Sequence, residues 1–235
     1  GNIKYDISID NHQLLKAEKY NNVINLETEK QRLVLVAAST HHGEDIQLLS
    51  IYKKLLNQFP NLLLVLVPRH PERFDEVYSD CLEQLPNNTN LVKHSQFDVF
   101  SESDKQNINV ILGDSMGEMQ MWYSLASIVF MGGSLVKTGG HNPLEATIFG
   151  VPVISGPHMF NFEDIAQELS AEKLLFVCDD ELEVENKLSE ILNEINMQKP
   201  EPNNHSFEKR AEEFMQQHRG VTAQLMEIVF KHLSN

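Results

Sequence analysis

The chain is short of basic charge. Its 235 residues carry 19 Lys and Arg against 34 Asp and Glu, a formal net charge of -15. A nucleic-acid binder shows a basic footprint, so that partner class is excluded. Direct attachment of this segment to an anionic membrane surface is excluded on the same ground. Cysteine is scarce too. Cys81 and Cys178 fall on separate elements, which argues against a disulfide framework and for two buried structural thiols. No apolar run nears the ~18 residues of a membrane-spanning helix, and no signal peptide is visible. The chain is therefore expected to be soluble and cytoplasmic. Two nucleotide signatures are missing as well, the P-loop pattern G-x-x-x-x-G-K-[ST] and the G-x-G-x-x-G fingerprint. The adjacent His41 and His42 lack a third ligand at helical spacing. Asp179-Asp180 reads as the start of a helix, where carboxylates favour the dipole. No metal and no cofactor is expected.

What is present is the pattern of an ordinary globular domain, 41% hydrophobic and 23% charged. Residues 1–30 are polar, with a short helix over 13–19 at most, and the chain begins with Gly rather than Met. That stretch reads as an interdomain linker arriving from something upstream, and 31–235 as the domain itself. From residue 33 strands and helices alternate. Leu33–Ala38, Leu62–Val67, Leu91-Val92, Asn109–Leu112, Ser127–Met131, Val151–Ser155 and Leu174–Val177 are short apolar runs, as expected of strands buried on both faces. Helices are expected over 44–59, 71–85, 117–126, from Pro143, after Phe162, and over 180–196, 206–218 and 221–233. Such β-α-β units form a Rossmann-like parallel sheet with helices on both faces.

In that architecture ligands bind beyond the C-terminal ends of the strands, and five loops fall there: 39–43, 68–70, 113–117, 132–142 and 156–161. Gly132-Gly133-Ser134-Leu135-Val136-Lys137-Thr138-Gly139-Gly140-His141-Asn142-Pro143-Leu144-Glu145 runs from a strand into a helix start with proline just inside it. Glycines let backbone approach an oxygen, and N–H groups of a first helical turn point at it. Glu145, one turn in, is placed to accept hydrogen bonds from sugar hydroxyls. Arg69, restrained between Pro68 and Pro71, offers a fork that suits phosphate, with His70 beside it. Ser39 and Thr40 either meet a ligand or merely start a turn. Gly113, Ser115, Met116 and Gly117 either cradle a planar base or form an ordinary turn. His158 reads as structural, and Phe160 and Phe162 as packing residues.

Four stretches carry a family resemblance: residues 132–145, Gly-Asp-Ser-Met-Gly-Glu at 113–118, Val-Pro-Val-x-x-Gly-Pro-His-x-Phe-Asn-Phe at 151–162, and Ala-Ser-Thr-His-x-Gly-Glu at 38–44. Together they resemble the 3-deoxy-D-manno-octulosonic acid (Kdo) transferases of Gram-negative lipopolysaccharide synthesis. The opening residues resemble the segment joining that family's two domains. The resemblance implies the C-terminal half of a GT-B glycosyltransferase, which binds the donor CMP-Kdo and releases CMP. The acceptor is a lipid A precursor, and the transfer is inverting and metal-independent. It implies that Arg69 and the N–H groups at Gly139, Gly140, His141 and Asn142 hold the phosphate. Glu145 would bind the ribose, and the 113–117 loop the cytosine. The general base and the membrane contact belong to the N-terminal half, at the cytoplasmic face of the inner membrane. Without that half, little transfer is expected. Half of a UDP-sugar 2-epimerase and a non-catalytic nucleotide-binding module are the alternatives.

Overall fold

The computed structural model describes residues 5, 7–25, 32–99, 105, 107–197 and 206–218. Seven parallel strands form one sheet. They are β1 (Val34–Thr40), β2 (Leu63–Pro68), β3 (Leu91–Lys93), β4 (Val110–Leu112), β5 (Ile128–Met131), β6 (Val153–Ser155) and β7 (Leu175–Val177), in the order β3-β4-β2-β1-β5-β6-β7. The strands form where apolar residues run without alternation, because helices cover both faces. In β1, Val34, Val36 and Ala38 enter one core while Leu35 and Ala37 enter the other. The first core lies under α1 (Asn11–Ile24), α4 (Met119–Leu125), α6 (Glu163–Ala171) and α8 (Phe207–His218). The second lies under α2 (Glu44–Leu55), α3 (Phe74–Gln84) and α7 (Glu181–Asn196). In α2, Leu48, Leu49 and Leu55 are almost fully buried, and each contributes about 1.5–3 kcal/mol relative to exposure.

The strand order matters for function. From β1 the chain moves out through β2, β3 and β4, then returns to place β5 on the other side of β1. The loops after β1 and β5 therefore leave in opposite directions and open a crevice at the C-terminal ends of these strands.

Three elements differ from the sequence expectation. The linker region carries a helix of 14 residues, α1, started by Asp10, whose side chain accepts the His12 N–H. Only Ala17, Tyr20 and Ile24 bury its inner face, so the apolar periodicity is thin. The helix after Pro143 is a single turn, α5 (Leu144–Thr147), because Gly150 follows at φ +71° and turns the chain toward β6. Pro152 precedes β6 and so costs the ladder nothing. Helix 206–218 is present as α8, while the helix expected over 221–233 lies outside the described residues. Among the described residues, no helix is long and apolar enough to cross a membrane.

Candidate functional site

The glycine loop is fixed by a carboxylate from the neighbouring strand's loop. Glu44, the first residue of α2, is fully buried. Its Oε2 accepts the N–H groups of His41 at 2.9 Å and Gly133 at 2.6 Å, and its Oε1 those of Ser134 and Leu135 at 2.9 Å each. One side chain thus joins the loop after β1 to the loop after β5 across the crevice. Close approach is part of the design. A Cβ at Gly132 would stand 2.4 Å from the Ser39 carbonyl oxygen. Gly139 and Gly140 take φ of +97° and +70°, a region that suits residues without a Cβ. Sequence reading saw Glu44 only as a helix start. Three of its four partners, Gly133, Ser134 and Leu135, lie 89 to 91 residues away, and nothing local signals them.

This anchoring changes which N–H groups face a ligand. The Gly140 N–H donates to the Gly133 carbonyl at 2.8 Å and is therefore occupied. The N–H of Leu144 donates to the Asn142 side chain at 3.2 Å. Among the described residues, the N–H groups of His141 and Asn142 have no partner. A one-turn helix also adds little macrodipole. The N–H groups of His141 and Asn142 are therefore left to donate to a ligand.

Arg69 and Glu145 line the same cavity, about 580 Å³ in volume, together with Ser39, Val67, Pro68 and the 115–117 loop. That size falls within the ~300–1,000 Å³ of small-molecule sites. Arg69 is exposed, and its guanidinium has no partner among the described residues. Its backbone N–H donates to the Thr40 carbonyl at 3.0 Å, which fixes where the side chain starts. Glu145 is open to solvent on one side but ringed by protein. That crowding raises its carboxyl above the ordinary range, against the opposing pull of Arg69. Ser39 lines the cavity in a left-handed conformation, φ 55°, a strain characteristic of functional positions.

Thr40 has a different place. It is fully buried and donates its hydroxyl to Asp45, which also accepts from Arg73 at 2.5 Å. It therefore starts the turn and does not line the cavity. Gly113 sits behind the cavity wall, where a Cβ would meet Val67 at 2.9 Å. Gly139 is packed against Asn161 and Phe160, and Gly140 against Met159. His70 and His141 each pack a ring against His41, and none of the three lines the cavity. Both cysteines are buried, and burial pushes the Cys81 thiol to about 12 and that of Cys178 to about 11. No cluster able to hold a metal ion occurs among the described residues.

The other wall was not visible in the sequence. Ile7, Ser8 and Gln13 line the cavity beside Ser115, Met116, Gly117, Met119 and Gln120. Asp10 donates its N–H to Gln120 at 2.7 Å, Gln120 donates to the Ser8 carbonyl at 2.8 Å, and Met121 donates its N–H to Gln13. Glu118 collects hydrogen bonds from Lys16, Ser115 and His94. Burial pushes its carboxyl up, but these partners outweigh it and hold it below the ordinary range. His94 in turn bonds the Tyr20 hydroxyl at 2.7 Å through Nδ1. The segment before the sheet is thus a wall of the site.

A parallel sheet, a crevice at its switch point and a glycine-rich loop beside it define a doubly wound α/β domain of the ligand-binding kind. Residues 16–214 match the family described as glycosyl transferases group 1, and the chain belongs to that family. It is 44% identical over 173 residues to the 3-deoxy-D-manno-octulosonic acid transferase of Haemophilus influenzae, covering 72% of this chain and 37% of that one. The enzyme of the same name from Rickettsia bellii is 29% identical over 238 residues, 98% of this chain and 51% of that one. This chain therefore spans between about a third and a half of these relatives' length. Among solved structures, the C-terminal CMP-Kdo binding domain of WaaA from Acinetobacter baumannii superposes with a TM-score of 0.74 at 32% identity, covering 88% of this chain and 100% of that one. The fold is that of a C-terminal GT-B half.

Proposed function

We propose that this chain is the donor-binding half of a Kdo transferase, holding CMP-Kdo for transfer of the sugar to a lipid A precursor. The observation that carries the reading is the cavity with Arg69 and Glu145 in its lining, beside the anchored glycine loop. The Kdo transferases among its relatives support the sugar and the nucleotide. Arg69 and the N–H groups of His141 and Asn142 take the phosphate. Glu145 takes the ribose hydroxyls, and the 115–117 loop borders the base.

Cleavage of the glycosidic bond leaves negative charge on the CMP phosphate. The two backbone N–H groups are set before that charge develops, and Arg69 closes on it from a strand end whose backbone is already fixed. Attack by the acceptor hydroxyl with inversion, without metal, needs a general base. In this reading the base and the membrane contact are supplied by an N-terminal half at the cytoplasmic face of the inner membrane. This chain contributes the leaving-group side.

Calorimetry with CMP and UMP tests the reading. CMP binds more tightly, and Arg69→Ala or Glu145→Ala weakens it by about tenfold or more, the worth of a charge-assisted hydrogen bond. Both variants keep the wild-type melting temperature within the small range of surface substitutions. Tighter binding of UMP would contradict the cytidine assignment.

A further inference from the structure

Three imidazoles stand together beyond the C-terminal ends of β1, β2 and β5, near Arg69. His41 follows β1, His70 follows β2, and His141 ends the glycine loop. The rings of His41 and His141 meet edge to edge, with 15° between planes, centroids 5.1 Å apart and Nε2 atoms 2.9 Å apart. His70 meets the His41 ring edge-on at 5.4 Å. The charges acting on His41 are Glu44, His70, Arg73 and Arg69, and those on His141 are Arg69 and His70. Glu44 is engaged by four backbone N–H groups, and Arg73 by Asp45. Glu44 still favours a proton on His41, while Arg69 and His70 oppose one on either ring.

Two ring nitrogens at that separation share one hydrogen, with one ring donating from Nε2 and the other presenting a lone pair. The pair can accept one further proton, on Nδ1 of the donating ring. A second would set two N–H donors face to face. It is a device for a single positive charge. Burial depresses both rings, with His141 pushed down to about 4, so at neutral pH the pair stands uncharged until an anion arrives.

We propose that the His41–His141 pair seats the carboxylate of the donor sugar and takes up one proton as that carboxylate binds. The proposal rests on the reading of the donor as a nucleotide-linked octulosonic acid. Such a donor carries two negative charges on one anomeric carbon, a phosphodiester and a carboxylate. Arg69 is one permanent cation at the cavity. The pair lies next to it and supplies the second charge when it is needed. A bound carboxylate raises the pair's proton affinity, which ties affinity to pH. It also distinguishes a sugar acid from a neutral sugar, which would leave the pair unprotonated.

Calorimetry in two buffers of different ionisation enthalpy counts the protons. CMP-Kdo is compared with cytidine 5′-methylphosphate, which keeps the phosphodiester and lacks the carboxylate. CMP-Kdo takes up about one more proton than the methylphosphate, and its affinity rises by up to about tenfold per pH unit as pH falls through the neutral range. His41→Gln removes the extra proton and weakens CMP-Kdo about tenfold while leaving the methylphosphate unchanged. His42→Gln, whose ring faces Glu76 on the exposed surface, behaves as wild type. Equal proton counts for the two ligands overturn the proposal, as does equal weakening of both by His41→Gln. Failure of the methylphosphate to bind wild type at all instead overturns the donor-site reading, and this proposal with it.

Discussion

The glycine loop and the 113–118 loop border one site and are held by opposite means. A single fully buried carboxylate, Glu44, takes four backbone N–H groups and fixes the first. The second hangs on side chains from another part of the chain. Lys16 and Ser115 meet at Glu118, and Gln13 and Gln120 tie the segment before the sheet to α4. The first arrangement is dry and local to the crevice, and it positions the groups that meet charge. The second is half-exposed and depends on a segment that packs onto the sheet from outside. The difference separates a loop held by its own backbone on a buried carboxylate from a loop held by half-exposed side chains.

The sharpest way to break the comparison is at Glu44. Glu44→Ala leaves four N–H groups without their acceptor. At about 1–3 kcal/mol for each unsatisfied buried group, partly relieved by entering water, the loss is about 3–5 kcal/mol. Urea denaturation reads this directly, and a loss under about 1 kcal/mol would mean that the loop holds itself. Lys16→Met probes the other loop. Lys16 is 35% exposed and Glu118 22%, so the loss stays near the ~0–1 kcal/mol of solvent-exposed pairs. Hydrogen exchange at 115–119 quickens while that at 133–135 does not change. Equal quickening in both loops would show that they move as one.

Acid sharpens the comparison from a third side. Burial lowers the proton affinity of His41, His94 and His141 in the folded state. The unfolded chain therefore binds these protons first as pH falls. The stability these groups contribute is present above about 6.5 and lost as pH drops through that value toward 4. Thermal melts from pH 7.5 to 5 follow this loss, and His141→Gln reduces its slope. An unchanged slope in that variant would assign the acid sensitivity elsewhere.

How much of this was legible beforehand follows from where each constraint lies. The strands were legible because Leu33–Ala38 or Leu62–Val67 can be uninterrupted only if both faces are covered. The edge loops followed from that alternation. Glu44 was not legible, because a carboxylate's partners across a sheet leave no trace in its neighbours. Ile7, Ser8 and Gln13 were missed for a related reason. A helix that buries only Ala17, Tyr20 and Ile24 carries too little periodicity to look docked. Thr40 could be read either way, and its buried bond to Asp45 decides for the turn. Gly140 reads as an anion donor in isolation, but the fold gives its N–H to Gly133.

The proposed CMP site is the cavity lined by Ser39, Arg69, the 115–117 loop and Glu145. Backbone amide mapping by NMR during CMP titration tests it most directly. The account predicts the largest shifts at His141, Asn142, Arg69 and residues 115–119. Shifts confined instead to the groove of about 700 Å³ lined by Lys173, Phe176, Phe207 and Arg210 would contradict it.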